Sequence, residues 1–244
     1  MILRESLARF FGRRAAWAWL LMEPLFHIGF MVLVFTVFRV RNVGGIETSL
    51  WVVLGFMGFF MFRRPGTQGA NSISANRSLF AYRQVKPVDT VLVRCTLEGL
   101  LMLCILVFVL MIAGLWGLSV WPSDPLSVLN CLLGIWCLGL GFGLVVSVAQ
   151  TLVPELGNLV DMAMMSMYLL SGVMFPLATV PYPYRDWLLL NPVAHGLEGL
   201  RLAFAPHYHA VPELSIAYLC AFALAAVFMG LALHVRYQNR LVAQ

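Results

Sequence analysis

Between Asp124 and Glu155 the chain carries no charged residue. A stretch of that length exceeds the roughly 20 apolar residues that take a helix across the hydrocarbon core of a bilayer. It constrains the whole fold, because backbone in lipid must satisfy its own hydrogen bonds, as helix or as closed barrel. Comparable apolar stretches occupy residues 15–38, 43–62, 95–116, 158–175 and 214–235. With 61% hydrophobic and 11% charged residues, against roughly 25% charged in a soluble domain, lipid is the expected solvent. Six such spans use nearly all of the 244 residues, so one all-α integral membrane domain over 1–244 is predicted.

The basic residues set an orientation. With the N-terminus inside, Arg4, Arg9, Arg13, Arg14, Arg63, Arg64, Arg77, Arg83, Lys86, Arg94, Arg236 and Arg240 fall on the inner side. Only Arg39, Arg41, Arg185 and Arg201 fall outside. That bias places both termini in the cytoplasm. Residues 1–14 read as an amphipathic helix lying in the interface, with Leu3, Leu7, Phe10 and Phe11 on one face and arginines elsewhere. The plainer reading is a basic leader. The net charge of +5 is explained by membrane topology and calls for no nucleic acid.

Several chemistries are missing. A P-loop needs a lysine followed by Ser or Thr to hold phosphates, and the single lysine, Lys86, precedes Pro87. There is no HExxH or GxSxG motif, so no catalytic residue is assigned. The five cysteines sit in apolar stretches without a CxxC pair, and His207 and His209 lack companions for a metal site, so no metal is expected. The five histidines are scattered, which argues against a membrane-embedded transferase acting on lipids. The chain either moves something passively or draws energy from a partner.

Residues 176–212 hold six prolines and a short apolar piece, 187–204. Broken helices at membrane depth survive only when buried in protein or lining a cavity, so a re-entrant helical hairpin on the outer side is predicted. Asn191-Pro192 begins its helix, and His195, Glu198 and Arg201 recur every three residues on one face. Two readings stand for them: a polar lock that fixes an outer gate, or direct contact with a sugar. Glu23, inside the first span next to Pro24, is either a pore residue or a partner of Arg13 or Arg14. Arg94 and Glu98 are spaced for an ion pair along one helix face. Among aromatics that could stack on sugar rings, Tyr168 and Phe175 lie beside the gate, while the others suit an ordinary interfacial belt. Gly139 and Gly143 form a GxxxG motif, the mark of close helix packing.

The segment 72–87 predicts a short helix capped by Ser74 or Asn76 and stopped by Pro87, carrying Leu79, Phe80 and Tyr82 among Arg77 and Arg83. Such a helix docks in a groove on another protein or lies on lipid. Its wording, ANRSLFAYRQVKPVDT, continuing to Arg94 and Glu98, resembles the cytoplasmic loop of ABC-2 type permeases that export capsular polysaccharide. LMEPLFHIGF (21–30), SGVMFPLATVP (171–181) and LLLNPVAHGLEGLR (188–201) resemble their first span, fifth span and re-entrant segment, in order along the chain.

The resemblance implies a homodimeric pore with two copies of a separate ATP-binding subunit docked on the cytoplasmic loops. ATP and Mg are then bound by that partner, and this chain carries no cofactor. It implies a coupling helix at Asn76, Arg77, Leu79, Phe80, Tyr82 and Arg83. The cargo is a lipid-linked polysaccharide, whose acidic end the basic rim of Arg9, Arg13, Arg14, Arg63 and Arg64 is suited to gather. A periplasmic co-polymerase or outer-membrane export component is a further expected partner. Permeases for O-antigen, teichoic acid or small lipids and drugs share the layout and remain the alternative.

Overall fold

The computed structural model describes residues 16–38, 42–77, 80 and 85–243; the predicted interface helix over 1–14 lies outside them. The helices are α1 (Ala16–Val37), α2 (Thr48–Ala70), α3 (Ser72–Ala75), α4 (Pro87–Leu115), α5 (Pro125–Leu152), α6 (Leu156–Leu170), α7 (Tyr184–Leu188), α8 (Pro192–Phe204) and α9 (Ile216–Ala243). Strands β1 (Asn42–Val43) and β2 (Ile46–Glu47) pair antiparallel, and a 3₁₀ turn spans Leu177–Thr179. Among the described residues, α4, α5 and Ile216–Val242 of α9 are long and apolar enough to cross a membrane.

Helix starts follow local chemistry. Pro125 is the first residue of α5, where its missing N–H costs nothing. Asp124 caps it, its Oδ1 accepting from the backbone N–H of Leu126 and Ser127 at 3.1 and 3.2 Å. Ser127 Oγ donates to Oδ2 at 2.6 Å. These bonds, Ser127's foremost, hold the Asp124 carboxyl below the usual carboxylate range.

Several boundaries differ from the sequence reading. Residues 43–47 belong to a hairpin, because Gly44 and Gly45 take φ of 59° and 94°, the left-handed region that two-residue hairpin turns require. The following helix runs past Arg63 and Arg64 to Ala70, so those arginines lie on α2 rather than in a loop. Pro87 opens α4; most of the helix expected just before it lies outside the described residues. Asn76 closes α3 at its C-terminus, its Nδ2 donating to Ser72 O at 2.9 Å. The fifth apolar stretch breaks at Gly172 (φ 71°), leaving α6 with 15 residues, about 22 Å at 1.5 Å per residue.

α2 is the centre of the bundle. Trp51, Leu54, Phe56, Met57, Phe59 and Phe62 are all buried, as expected of a helix apolar on every side. α5 crosses it on glycine. A Cβ at Gly139 would lie 2.6 Å from Phe62 O, and one at Gly143 3.3 Å from Gly69 Cα. Gly141, on another face, would put a Cβ 2.7 Å from that of Ala226 in α9. The GxxxG motif is therefore a backbone-to-backbone crossing, as its residues suggested. The cysteines are free; Cys95 and Cys131 are buried among apolar neighbours.

Candidate functional site

A buried polar cluster forms where α6 ends, α8 passes and α2 begins. The last carbonyls of any helix lack intrahelical donors and carry the negative end of its dipole. Just past that end of α6, the turn at Ser171–Val173 points the carbonyls of Gly172 and Val173 inward, and Arg201 answers them. Its Nη1 donates to Gly172 O at 2.9 Å and to Glu198 Oε1 at 3.1 Å, and Nη2 donates to Val173 O at 3.4 Å. Tyr208 donates its hydroxyl proton to the same Glu198 oxygen at 2.9 Å. The guanidinium carbon stands 3.8 Å from the centroid of Trp51, within the range of cation–π attraction.

Arg201 and Glu198 are both completely buried. A charge in such a place persists only when paired and hydrogen-bonded, and here the pair on α8 is fastened to three other segments. Two glycines make the room. A Cβ at Gly55 would fall 2.4 Å from Arg201 Nη2 and 3.2 Å from Val173 O, and one at Gly172 would strike Leu177 at 2.8 Å. Asn191 caps α8 by accepting from Val193 N–H at 3.0 Å, while its Nδ2 donates to Ser171 Oγ at 2.8 Å.

The hairpin closes over this cluster. His209 N–H donates to Gly44 O at 2.9 Å. A Cβ at Gly44 would lie 2.5 Å from the Tyr208 ring, and one at Gly45 2.6 Å from His207 O. The connection between α1 and α2 is thus clasped to the loop that follows α8.

His195 does not join Glu198 and Arg201. Six residues along a helix rotate a side chain by about 120° from its start, enough to send it to another neighbour. His195 Nε2–H donates to Leu189 O at 2.8 Å, and Nδ1 accepts from Ser215 N–H at 3.2 Å, which fixes the Nε2–H tautomer. Its ring lies 5.0 Å from that of Tyr218. It ties the turn before α8 to the start of α9.

The other predicted residues are dispersed. Tyr168 sits edge-on to Phe56 and Phe59, at 5.8 and 5.3 Å, whereas Phe175 packs in a separate cluster with Leu177, Ala194 and Val211. Glu23 falls within α1 with its side chain outside the described set. Arg63 is exposed and Arg64 half-buried on α2; Arg9, Arg13 and Arg14 lie outside the described residues. Of the segment thought to couple to a partner, Phe80 is buried with Ile73, Val91, Leu144 and Leu241, and Arg77 is exposed. Leu79, Tyr82 and Arg83 lie outside the described residues. Arg94 Nη2 donates to Gln68 Oε1 at 2.8 Å. Among the described residues no three His, Cys, Asp or Glu side chains group as metal ligands.

Sequence reading passed over Trp51, Gly55, Gly172 and Tyr208. Trp51 and Gly55 are four apart on one helical face, but nothing local says that an arginine some 150 positions on will fill the gap between them.

Comparison with known proteins places this architecture. The family model for ABC-2 type transporters matches residues 1–205. The polysialic acid transport protein KpsM of Escherichia coli is 31% identical over 235 residues, covering 96% of this chain and 90% of that protein. The capsule polysaccharide export inner-membrane protein CtrC of Neisseria meningitidis is 29% identical, covering 84% and 77%. The corresponding protein BexB of Haemophilus influenzae is 25% identical, covering 96% and 88%. With a family match over most of its length and apolar helices of membrane length, the chain belongs to the ABC-2 type transporter family.

Proposed function

We propose that this protein is the membrane permease subunit of an ATP-driven exporter that moves lipid-linked capsular polysaccharide across a bacterial inner membrane. The observation that carries the reading is the similarity, along 96% of the chain, to a protein named for polysialic acid transport. Two further relatives are named for capsule polysaccharide export at the inner membrane. In this reading the domain spans 1–244, crosses the bilayer six times with both termini cytoplasmic, and begins with an interface helix over 1–14. Residues 176–212 form the outer re-entrant segment.

The chain works as a homodimer with two copies of an ATP-binding subunit, which hold ATP and Mg; the absence of a P-loop in the sequence supports that division. Outward-facing large side chains on α1 and α6, among them Phe26, Phe30, Met162 and Met165, suit a second copy or lipid. The segment around Asn76–Arg83 couples the partner to the pore, with Phe80 as its anchor and Arg77 toward the partner. Arg9, Arg13, Arg14, Arg63 and Arg64 gather the acidic end of the cargo. Glu23, Tyr168 and Phe175 belong to the pore or gate. Glu198 and Arg201 act as a polar lock at the gate, a role that their complete burial supports over direct sugar contact. His195 fixes the neighbouring turn. A periplasmic or outer-membrane export component receives the polymer.

The test is genetic and biochemical. Deleting the gene should leave lipid-linked polymer inside the cell, and the intact gene should restore export. ATP hydrolysis by the purified chain without a partner would overturn the reading.

A further inference from the structure

Where α4 starts and α9 nears its end, a crevice of about 130 Å³ opens between Lys86, Pro87, Val88, Leu231, His234, Val235 and Gln238. Its two ends differ in chemistry. One wall continues onto Leu231 and Val235, which are 38% and 77% exposed, as a lipid-facing surface should be. At the other stands Lys86, exposed and the only lysine of the chain. His234 is 4% exposed; its Nε2 lies 3.1 Å from Ser147 Oγ, and its Nδ1 has no hydrogen-bond partner. Ser147 Oγ also lies 2.9 Å from Leu144 O. Its one proton goes to Leu144 or to the ring, so Nδ1 is free to accept or donate according to what enters.

Asp89, in the first turn of α4, keeps its charge while its Oδ2 accepts the backbone N–H of Lys86 at 3.0 Å, so its carboxylate caps the helix and leaves the Lys86 ammonium to the crevice mouth. Arg236 and Arg240 on α9 flank the Tyr237 ring, each 5.9 Å from its centroid, and do not line the crevice, so Lys86 is the cation among its lining residues. A small crevice with a cation at its mouth, an unpartnered buried imidazole in its wall and an apolar flank matches a phospholipid head, not a soluble metabolite.

We propose that this crevice holds the phosphoglycerol head of an anionic phospholipid. Lys86 pairs with the phosphate, His234 and Gln238 take its glycerol oxygens, and the acyl chain runs along Leu231 and Val235. Lys86 directly follows the segment proposed to couple to the ATP-binding partner, so the bound lipid joins that segment to the last helix. The position at the inner leaflet and the coupling role rest on the proposed function. The binding itself does not.

The test uses full-length protein purified in mild detergent from cells that make no polymer. It is equilibrated with phosphatidylglycerol and phosphatidylcholine, and retained lipid is counted by native mass spectrometry. Wild type and Lys86→Arg should each retain phosphatidylglycerol in preference to phosphatidylcholine. Lys86→Gln should lower that preference about fivefold, the factor one lysine contributes at a charged lipid surface. Val235→Trp, which fills the crevice from an exposed position, should lower retention of both lipids. Equal retention of the two lipids by wild type, or an unchanged preference in Lys86→Gln, overturns the proposal. Displacement of the lipid by millimolar glycerol phosphate also overturns it, since that marks a site for soluble anions.

Discussion

Arg201 and Trp51, 150 positions apart in the chain, meet with the guanidinium carbon 3.8 Å from the indole centroid, both side chains fully buried. The stack and the carbonyls of Gly172 and Val173 hold the cation from opposite segments. Removing one partner of a buried pair leaves the other uncompensated, at a cost of about 3–5 kcal/mol. Arg201→Ala should therefore lower the unfolding temperature in detergent sharply. Arg201→Lys should fall between, because an ammonium keeps the charge but loses the planar fork and the stack.

Glu198→Gln tests the lock from its other side. The amide oxygen can still accept from Tyr208 and Arg201, but the buried Arg201 loses its counter-charge, so stability should fall by about 3–5 kcal/mol, and export should fall with it. If both stability and export are untouched, neither the lock nor a sugar-binding role survives for this residue.

Gly55→Ala should mimic a weakened Arg201 without touching a charge. The added methyl would meet Nη2 at 2.4 Å and Val173 O at 3.2 Å, and overpacking of this kind costs about 1–3 kcal/mol. Gly29→Ala is the control, since a Cβ there meets nothing within 4 Å. Equal thermal shifts for the two variants would contradict the close approach.

Phe80 and Arg77 should separate stability from coupling. Phe80→Ala removes a buried ring from the cluster around Val91 and Leu144 and should cost about 3–5 kcal/mol. Arg77→Ala, at an exposed position, should leave the unfolding temperature unchanged. It should instead reduce the ATPase activity of the reconstituted complex, measured against wild type at the same partner concentration.

Gly139→Leu should disrupt assembly of the bundle itself. Its side chain would point at the backbone of Phe62, 2.6 Å from the carbonyl oxygen, and backbone cannot step aside as a flexible side chain can. Loss of folded protein on size exclusion is the expected readout.

Much of the fold was legible because its signals are local. Asn191-Pro192 announced the start of α8, and the Gly139–Gly143 spacing announced a close crossing. The Gly44-Gly45 pair was also a local signal, a two-residue hairpin turn between Val43 and Ile46. It was masked by the apolar run beginning beside it. The break at Gly172 was hidden in the same way. The i, i+3 spacing of His195, Glu198 and Arg201 predicted one shared face, yet their real partners separate them. Spacing gives angular position on a helix; it does not say which neighbour lies at that angle.

The amino-acid order by itself determined that this chain lives in lipid, since an uncharged stretch such as Pro125–Leu152 has no stable place in water. It also determined where α5 and α8 begin, because Asp124-Pro125 and Asn191-Pro192 act on backbone groups a few residues away. Only the tertiary structure decided what Arg201 does. The free energy of a buried cation depends on which carbonyls, acids and rings come within about 3–4 Å of it, and α2, the turn at Gly172 and Tyr208 reach it from distant parts of the chain.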